Sequence, residues 1–302
     1  MKETSCSNEF KSRISFSEKG FTFQDETDSI GVKNLGLRLA IDKAFHGFVP
    51  TNAKKGKGGL SISGKIGRLS ASCEIRMLSK INAATIHFSL KNDSAKKVKI
   101  SDIQFGIFSD DAAVLAGKSS TWDFKYCHTD NVRTELYPYC QGESPFVRSL
   151  PVRETLLGAG EDQAFPAIYF TDKKYNNGLV IAAATQDNSF QTWAIKKDPF
   201  GAKSILEKFS IKYDRCQSSH LEIKSGESFE MDSTYFQIMK DRHPQCAYDD
   251  YVDWLSEKLP LLGKKTPLLR NAFHCTWNYG VFDRQFEKNL LKIGRASCRE
   301  RV

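Results

Sequence analysis

The sequence predicts a mainly β protein: a large N-terminal β-sandwich, then a linker helix and the first strand–loop–helix unit of an α/β barrel. Three observations carry this. Of 302 residues 40% are hydrophobic and 26% charged, as in ordinary globular chains, and a 12% aromatic content with 21 Phe favours strands. From Arg13 to Met239 apolar residues recur with period two between polar turns. Beyond Gln245 the period becomes helical.

Residues 1–12 read as a flexible N-terminus, and 13–245 as the sandwich. Within it, Ile86, Phe88 and Leu90 alternate with Thr85, His87 and Ser89. After Lys91-Asn92-Asp93-Ser94 the alternation resumes at Val98 and Ile100, which predicts a hairpin. A second hairpin is expected around Ser225-Gly226-Glu227-Ser228, between Leu221/Ile223 and Phe229/Met231. Leu179 to Ala184 is apolar throughout, as a strand covered on both faces requires. No fixed-period repeat supports a propeller.

Residues 246–266 read as helix and linker: Tyr248, Tyr251, Val252, Leu255 and Leu259 share a helical stripe over Cys246 to Leu259, which Pro260 and Gly263 end. Residues 267–292 then give a strand from Leu268 to Thr276, a Trp-Asn-Tyr-Gly loop and the beginning of a helix. That order opens a (β/α)8 barrel, here truncated.

A formal charge of +8 invites a nucleic-acid partner, but the charge is diffuse. Its one cluster, Lys54-Lys55-Gly56-Lys57-Gly58-Gly59, lacks interleaved aromatics and reads as a solvated loop. Gly117-Lys118-Ser119 fails as a phosphate loop because Ala112 stands where glycine is required. The eight cysteines show no CxxC spacing, so they read as reduced thiols, and no metal or other cofactor is expected. Asn92-Asp93-Ser94 is a formal glycosylation sequon but reads as a turn. With no signal-like N-terminus and no long apolar run, a cytoplasmic protein without a membrane partner is expected.

The final segment, 293–302 (IGRASCRERV), reads as the translation of a common sequencing-adapter oligonucleotide. It interrupts a helical pattern set by Phe282, Phe286, Leu290 and Leu291, so the native gene is expected to continue beyond Lys292.

Two stretches carry recognisable chemistry. Trp277 and Asn278 follow the predicted strand, where an indole offers a flat apolar face with an N–H donor and an amide can both donate and accept. A core role for Trp277 stays open beside this. The other stretch, Thr121 to Glu135, packs Trp122, His128, Asp130 and Arg133 into what reads as a polar, irregular loop, either a binding loop or one stabilised by its own hydrogen bonds.

Asn271 to Asn278 (NAFHCTWN), preceded by a sandwich that closes on Leu221 to Phe236, resembles the α-galactosidase (melibiase) and raffinose-synthase group of retaining glycoside hydrolases. Tyr279-Gly280 departs from the commoner Ser/Thr-Trp continuation of that motif. The resemblance implies a super-sandwich joined to a (β/α)8 barrel and an oligosaccharide or glycoside substrate touched by Trp277 and Asn278. It also implies that a sandwich loop carrying Trp122, His128, Asp130 and Arg133 can lean over the barrel mouth. Retaining hydrolysis needs two carboxyl groups about 5–5.5 Å apart. In the family they are aspartates of later barrel strands, so no catalytic residue is assigned here and the chain is expected to be inactive. A raffinose-synthase-like transglycosidase and a non-catalytic carbohydrate-binding sandwich are the alternatives; assembly as a homo-oligomer is left open.

Overall fold

A computed structural model describes residues 3–116, 122–128, 147–149, 155–157, 164–172, 177–185, 188, 190–197, 206–214, 220–242 and 244–258. The chain enters on β1 (Thr4–Ser7), β2 (Arg13–Ser17), β3 (Gly20–Gln24), the long β4 (Ile30–Ile41) and β5 (Ala44–Gly47). A second meander follows: β6 (Val49–Gly56), β7 (Gly59–Ile66), β8 (Leu69–Met77) and β9 (Ala83–Lys91). Next are β10 (Val98–Gly106), β11 (Ala113–Ala116), β12 (Trp122–His128), β13 (Val147–Ser149), β14 (Thr155–Leu157) and β15 (Ala164–Asp172). The last described strands are β16 (Gly178–Ala183), β17 (Phe190–Lys197), β18 (Leu206–Asp214), β19 (Leu221–Ile223), β20 (Ser228–Glu230) and β21 (Thr234–Met239), before helix α1 (Pro244–Lys258).

The strands form two sheets, as expected of a sandwich. The first runs β1-β2-β3-β4-β10-β18-β17-β14, with β5, β11 and β19 paired to its members; the second runs β13-β12-β15-β16-β21-β9-β8-β7-β6, with β20 on β9. Alternation decides which side chains face inward: on β9, Ile86, Phe88 and Leu90 are buried while Thr85, His87 and Ser89 turn outward. Phenylalanines from both sheets interlock at the centre. Phe88 meets Phe105 edge-on at 5.5 Å, Phe105 meets Phe236 at 6.2 Å, and Phe236 meets Phe21 at 5.3 Å. Such contacts add about 0.5–1.5 kcal/mol per pair beyond area burial.

Both expected hairpins are instead corners that cross between sheets. β9 pairs with β8, β20 and β21, whereas β10 pairs with β4, β18 and β19. β19 and β20 are divided in the same way, one on β10 and the other on β9. A strand with one buried face alternates identically whether its successor lies beside it or across the core, so periodicity does not distinguish the two connections. Asn92 ties the corners together. Its amide donates to the Lys96 and Ile223 carbonyls at 2.8 and 2.9 Å, and its backbone exchanges bonds with Glu227 and Gly226. It is fully buried, so the sequon is a structural corner.

A second apolar cluster lies on the outer face of the second sheet. β16 is buried along its length, Leu179 and Ile181 toward the inter-sheet core and Val180 and Ala182 toward α1, as its unbroken apolar run required. The helix begins two residues earlier than expected, and its stripe is rotated: Ala247, Tyr251, Trp254 and Leu255 pack inward while Val252 is 39% exposed. Tyr235 sets this rotation, its ring lying 5.2 Å from Tyr251 and 4.9 Å from Trp254. The Tyr251 hydroxyl donates to the Ala183 carbonyl at 2.6 Å, and Arg242 holds Asp250 with two bonds at 2.6 and 3.1 Å.

Candidate functional site

Helix α1 covers only part of the second sheet's outer face. Beneath it that face is apolar, with Val180, Ala182 and Tyr235. Beyond its edge the outward rows of β8 and β9 are polar: Ser72 lies opposite Ser89, Glu74 opposite His87, and Arg76 opposite Thr85. This floor, the helix edge bearing Trp254 and Lys258, and the corner at Thr185 and Ser233 bound a cleft of about 500 Å³.

At its centre β20 brings Glu230 beside Ser89. The Ser89 hydroxyl donates to Glu230 Oε1 at 2.7 Å, and His87 Nε2 lies 2.7 Å from Oε2. A carboxylate only accepts, so Nε2 carries the proton; in the neutral ring Nδ1 then accepts from the Ser233 hydroxyl at 3.1 Å. Burial pushes the Glu230 carboxyl up, but the Ser89 and His87 bonds outweigh it and hold it below the usual range. Arg76 meets Glu74 at 2.8 Å beside this group. The far wall is fixed by Asp232, which accepts from the Thr185 hydroxyl and the Asn188 amide, each at 3.0 Å.

Among the described residues, smaller hollows lie elsewhere. One, of about 300 Å³, adjoins Trp254 and is spanned by the Lys80–Glu257 ion pair at 2.9 Å. In another, of about 290 Å³, the Arg38 guanidinium lies 4.2 Å from the Phe45 ring centroid and 3.8 Å from that of Phe108 while donating to Gln104 Oε1. Among the described residues no group of three or more His, Cys, Asp or Glu could hold a metal ion, and no helix is long and apolar enough to cross a membrane.

Trp122 and His128 open and close β12, placed by their backbones opposite Asp172 and Ala164 of β15. The first half of the expected polar loop is therefore strand. Trp122, Phe124 and Tyr126 alternate with Asp123, Lys125 and Cys127, and pairing with β13 and β15 exploits that period. Asp130, Arg133, Trp277 and Asn278 lie outside the described residues, as do the expected barrel unit and the terminal segment 293–302. Sequence reasoning placed His87 on an outward row without assigning it a role, and overlooked Glu230 and Trp254. The outward row of β9 was visible; its partner Glu230, 143 positions from His87, was not.

No protein-family model matches the chain, nor does any curated protein. Among solved structures, two forms of a GH36 alpha-galactosidase of Geobacillus stearothermophilus are similar. The form bound to 1-deoxygalactonojirimycin has TM-score 0.47 and 10% identity, and the form bound to raffinose has 0.45 and 11%; each match covers 80% of this chain and 41% of the other. A putative aldose 1-epimerase of Escherichia coli K12 has TM-score 0.46 and 9% identity over 79% of this chain and 99% of its own. The chain thus spans about two fifths of the length of those alpha-galactosidases. At these TM-scores the likeness assigns neither family nor activity.

Proposed function

We propose that this chain is the sandwich-bearing part of a retaining glycoside hydrolase acting on α-galactosides, with Trp277 and Asn278 contacting substrate and the catalytic aspartates supplied by sequence beyond Lys292. The observation that carries the reading is the order of parts. A two-sheet sandwich closes on β21 and is followed by a helix packed back against it, directly ahead of the Asn271-to-Asn278 motif. A sandwich needing no catalytic partner would have no use for the strand–loop–helix pattern at 267–292. In this reading Trp122, His128, Asp130 and Arg133 belong to the segment that approaches the barrel mouth.

The test is to express the reading frame carried past Lys292 and the 302-residue chain in parallel, and to follow release of nitrophenol from aryl α- and β-galactosides. The extended protein is expected to cleave the α-anomer with retention, and the shorter chain neither. A folded extended protein that leaves α-galactosides intact refutes the proposal.

A further inference from the structure

We infer that the cleft beside α1 is itself a binding site for a neutral pyranoside unit, built by the sandwich and helix without Trp277 or Asn278. Stability does not account for its charged groups. The His87–Glu230 and Glu74–Arg76 pairs keep much of their side-chain surface in solvent, at 33%/56% for the first pair and 51%/75% for the second in those orders. Exposed pairs of this kind contribute only about 0–1 kcal/mol. What they do provide is an array of donors and acceptors on one floor, since Glu74 and His87 are direct cross-strand neighbours and Glu230 is opposite Ser89.

The array selects a ligand class. Vicinal hydroxyls each donate and accept, and a carboxylate beside an imidazole or guanidinium offers both partners at adjacent positions. Two lining carboxylates, Glu74 and Glu230, face two cations, Arg76 and Lys258, and a third carboxylate, Asp232, lies behind the far wall, so the cleft has no excess of positive charge to recruit a phosphate or a free acid. Trp254 supplies part of the wall: its ring packs 4.9 Å from that of Tyr235 and carries Lys258 Nζ 4.8 Å from its centroid, so a sugar laying its C–H face on the indole takes the place of the flexible Lys258 head while the polar floor takes its hydroxyls. A merely solvated sheet face would carry the same polar rows, but without the aromatic wall that α1 raises beside them.

The inference stands apart from the hydrolase reading. Its test uses the 302-residue chain, titrated by ligand-observed NMR with methyl α-D-galactopyranoside, methyl α-D-glucopyranoside and, as a charge control, inorganic phosphate. At least one pyranoside should bind saturably and phosphate should not displace it. Glu230→Gln and Glu74→Gln should each weaken binding about tenfold or more, the scale of losing one hydrogen bond to a charged group. Their melting temperatures should stay close to that of the parent because both carboxylates are exposed. Trp254→Phe, which keeps a ring against Tyr235, should weaken binding further when combined with Glu230→Gln. Absence of pyranoside binding by the folded parent, undiminished binding in both carboxamide variants, or preferential binding of phosphate each overturns the inference. None of these outcomes depends on whether the extended protein hydrolyses α-galactosides.

Discussion

Asp25 offers a measurable coupling between pH and the stability of the sandwich. It sits in the β3–β4 turn, 2% exposed, and holds the end of β21 against the first sheet. Its Oδ1 accepts from the Ser29 and Ile30 amides at 2.9 and 3.0 Å, and its Oδ2 accepts from the Thr27 hydroxyl at 2.6 Å and from Lys240 Nζ at 2.9 Å. Burial raises the carboxyl pKa, but the Thr27, Lys240, Ile30 and Ser29 bonds together lower it from 3.8 to about 2. The folded value lies below the unfolded one, so the contribution is fully present above the unfolded pKa and is lost as pH falls from 3.8 through about 2. At 1.36 kcal/mol per pH unit this amounts to about 2 kcal/mol at neutral pH. Asp25→Asn should therefore lower stability by about 2 kcal/mol at pH 7 in urea unfolding, with the deficit shrinking steadily below pH about 4. An equal deficit at pH 7 and at pH about 2 would show that the carboxylate's charge is not what the turn uses.

Three further outcomes follow from the packing and the proposed site. Phe105→Ala, which empties the centre of the aromatic contacts with Phe21, Phe88 and Phe236, should cost about 3–5 kcal/mol in the same assay. Gly31→Ala should prevent accumulation of folded protein, judged by near-ultraviolet circular dichroism. At φ 135° a Cβ there would lie 2.0 Å from the Phe23 carbonyl oxygen, and neither backbone can yield without breaking the β3–β4 ladder. On the proposed hydrolase reading, Trp277→Ala in the extended protein should lower kcat/KM for an α-galactoside by about 10–200-fold with little change in melting temperature. A large fall in melting temperature with unchanged kcat/KM in the folded fraction would make it a core residue.

How much was legible depended on whether a feature was local. The unbroken apolar run at Leu179 to Ala184 announced a doubly covered strand, and the change of period after Gln245 announced α1, because burial on two faces or on one stripe leaves its mark within a few residues. The corners at Asn92 and Gly226 were not legible. Each serves the other through bonds between segments 131 or more positions apart, and an isolated Asn-Asp-Ser or Ser-Gly looks the same in a hairpin. The cleft failed for the same reason. Its floor comes from β8 and β9, its carboxylate from β20 and its wall from α1, so no window of sequence contains the constellation. The polar stretch at Thr121 to Glu135 misled in the opposite direction, its density of charge masking the period-two order of Trp122 to His128.

The seating of α1 on β16 and β21 also fixes where a shortened chain can be cut. Among the described residues the last paired strand ends at Met239, yet a product stopped there would leave Val180, Ala182 and Tyr235 bare on a sheet face, a contiguous greasy area of the sort that drives copies to stick together. It would also free the Ala183 carbonyl from Tyr251. The smallest soluble piece of this protein should therefore run through Lys258. The helix that reads in the sequence as a connector is, among the described residues, the outermost layer of the sandwich.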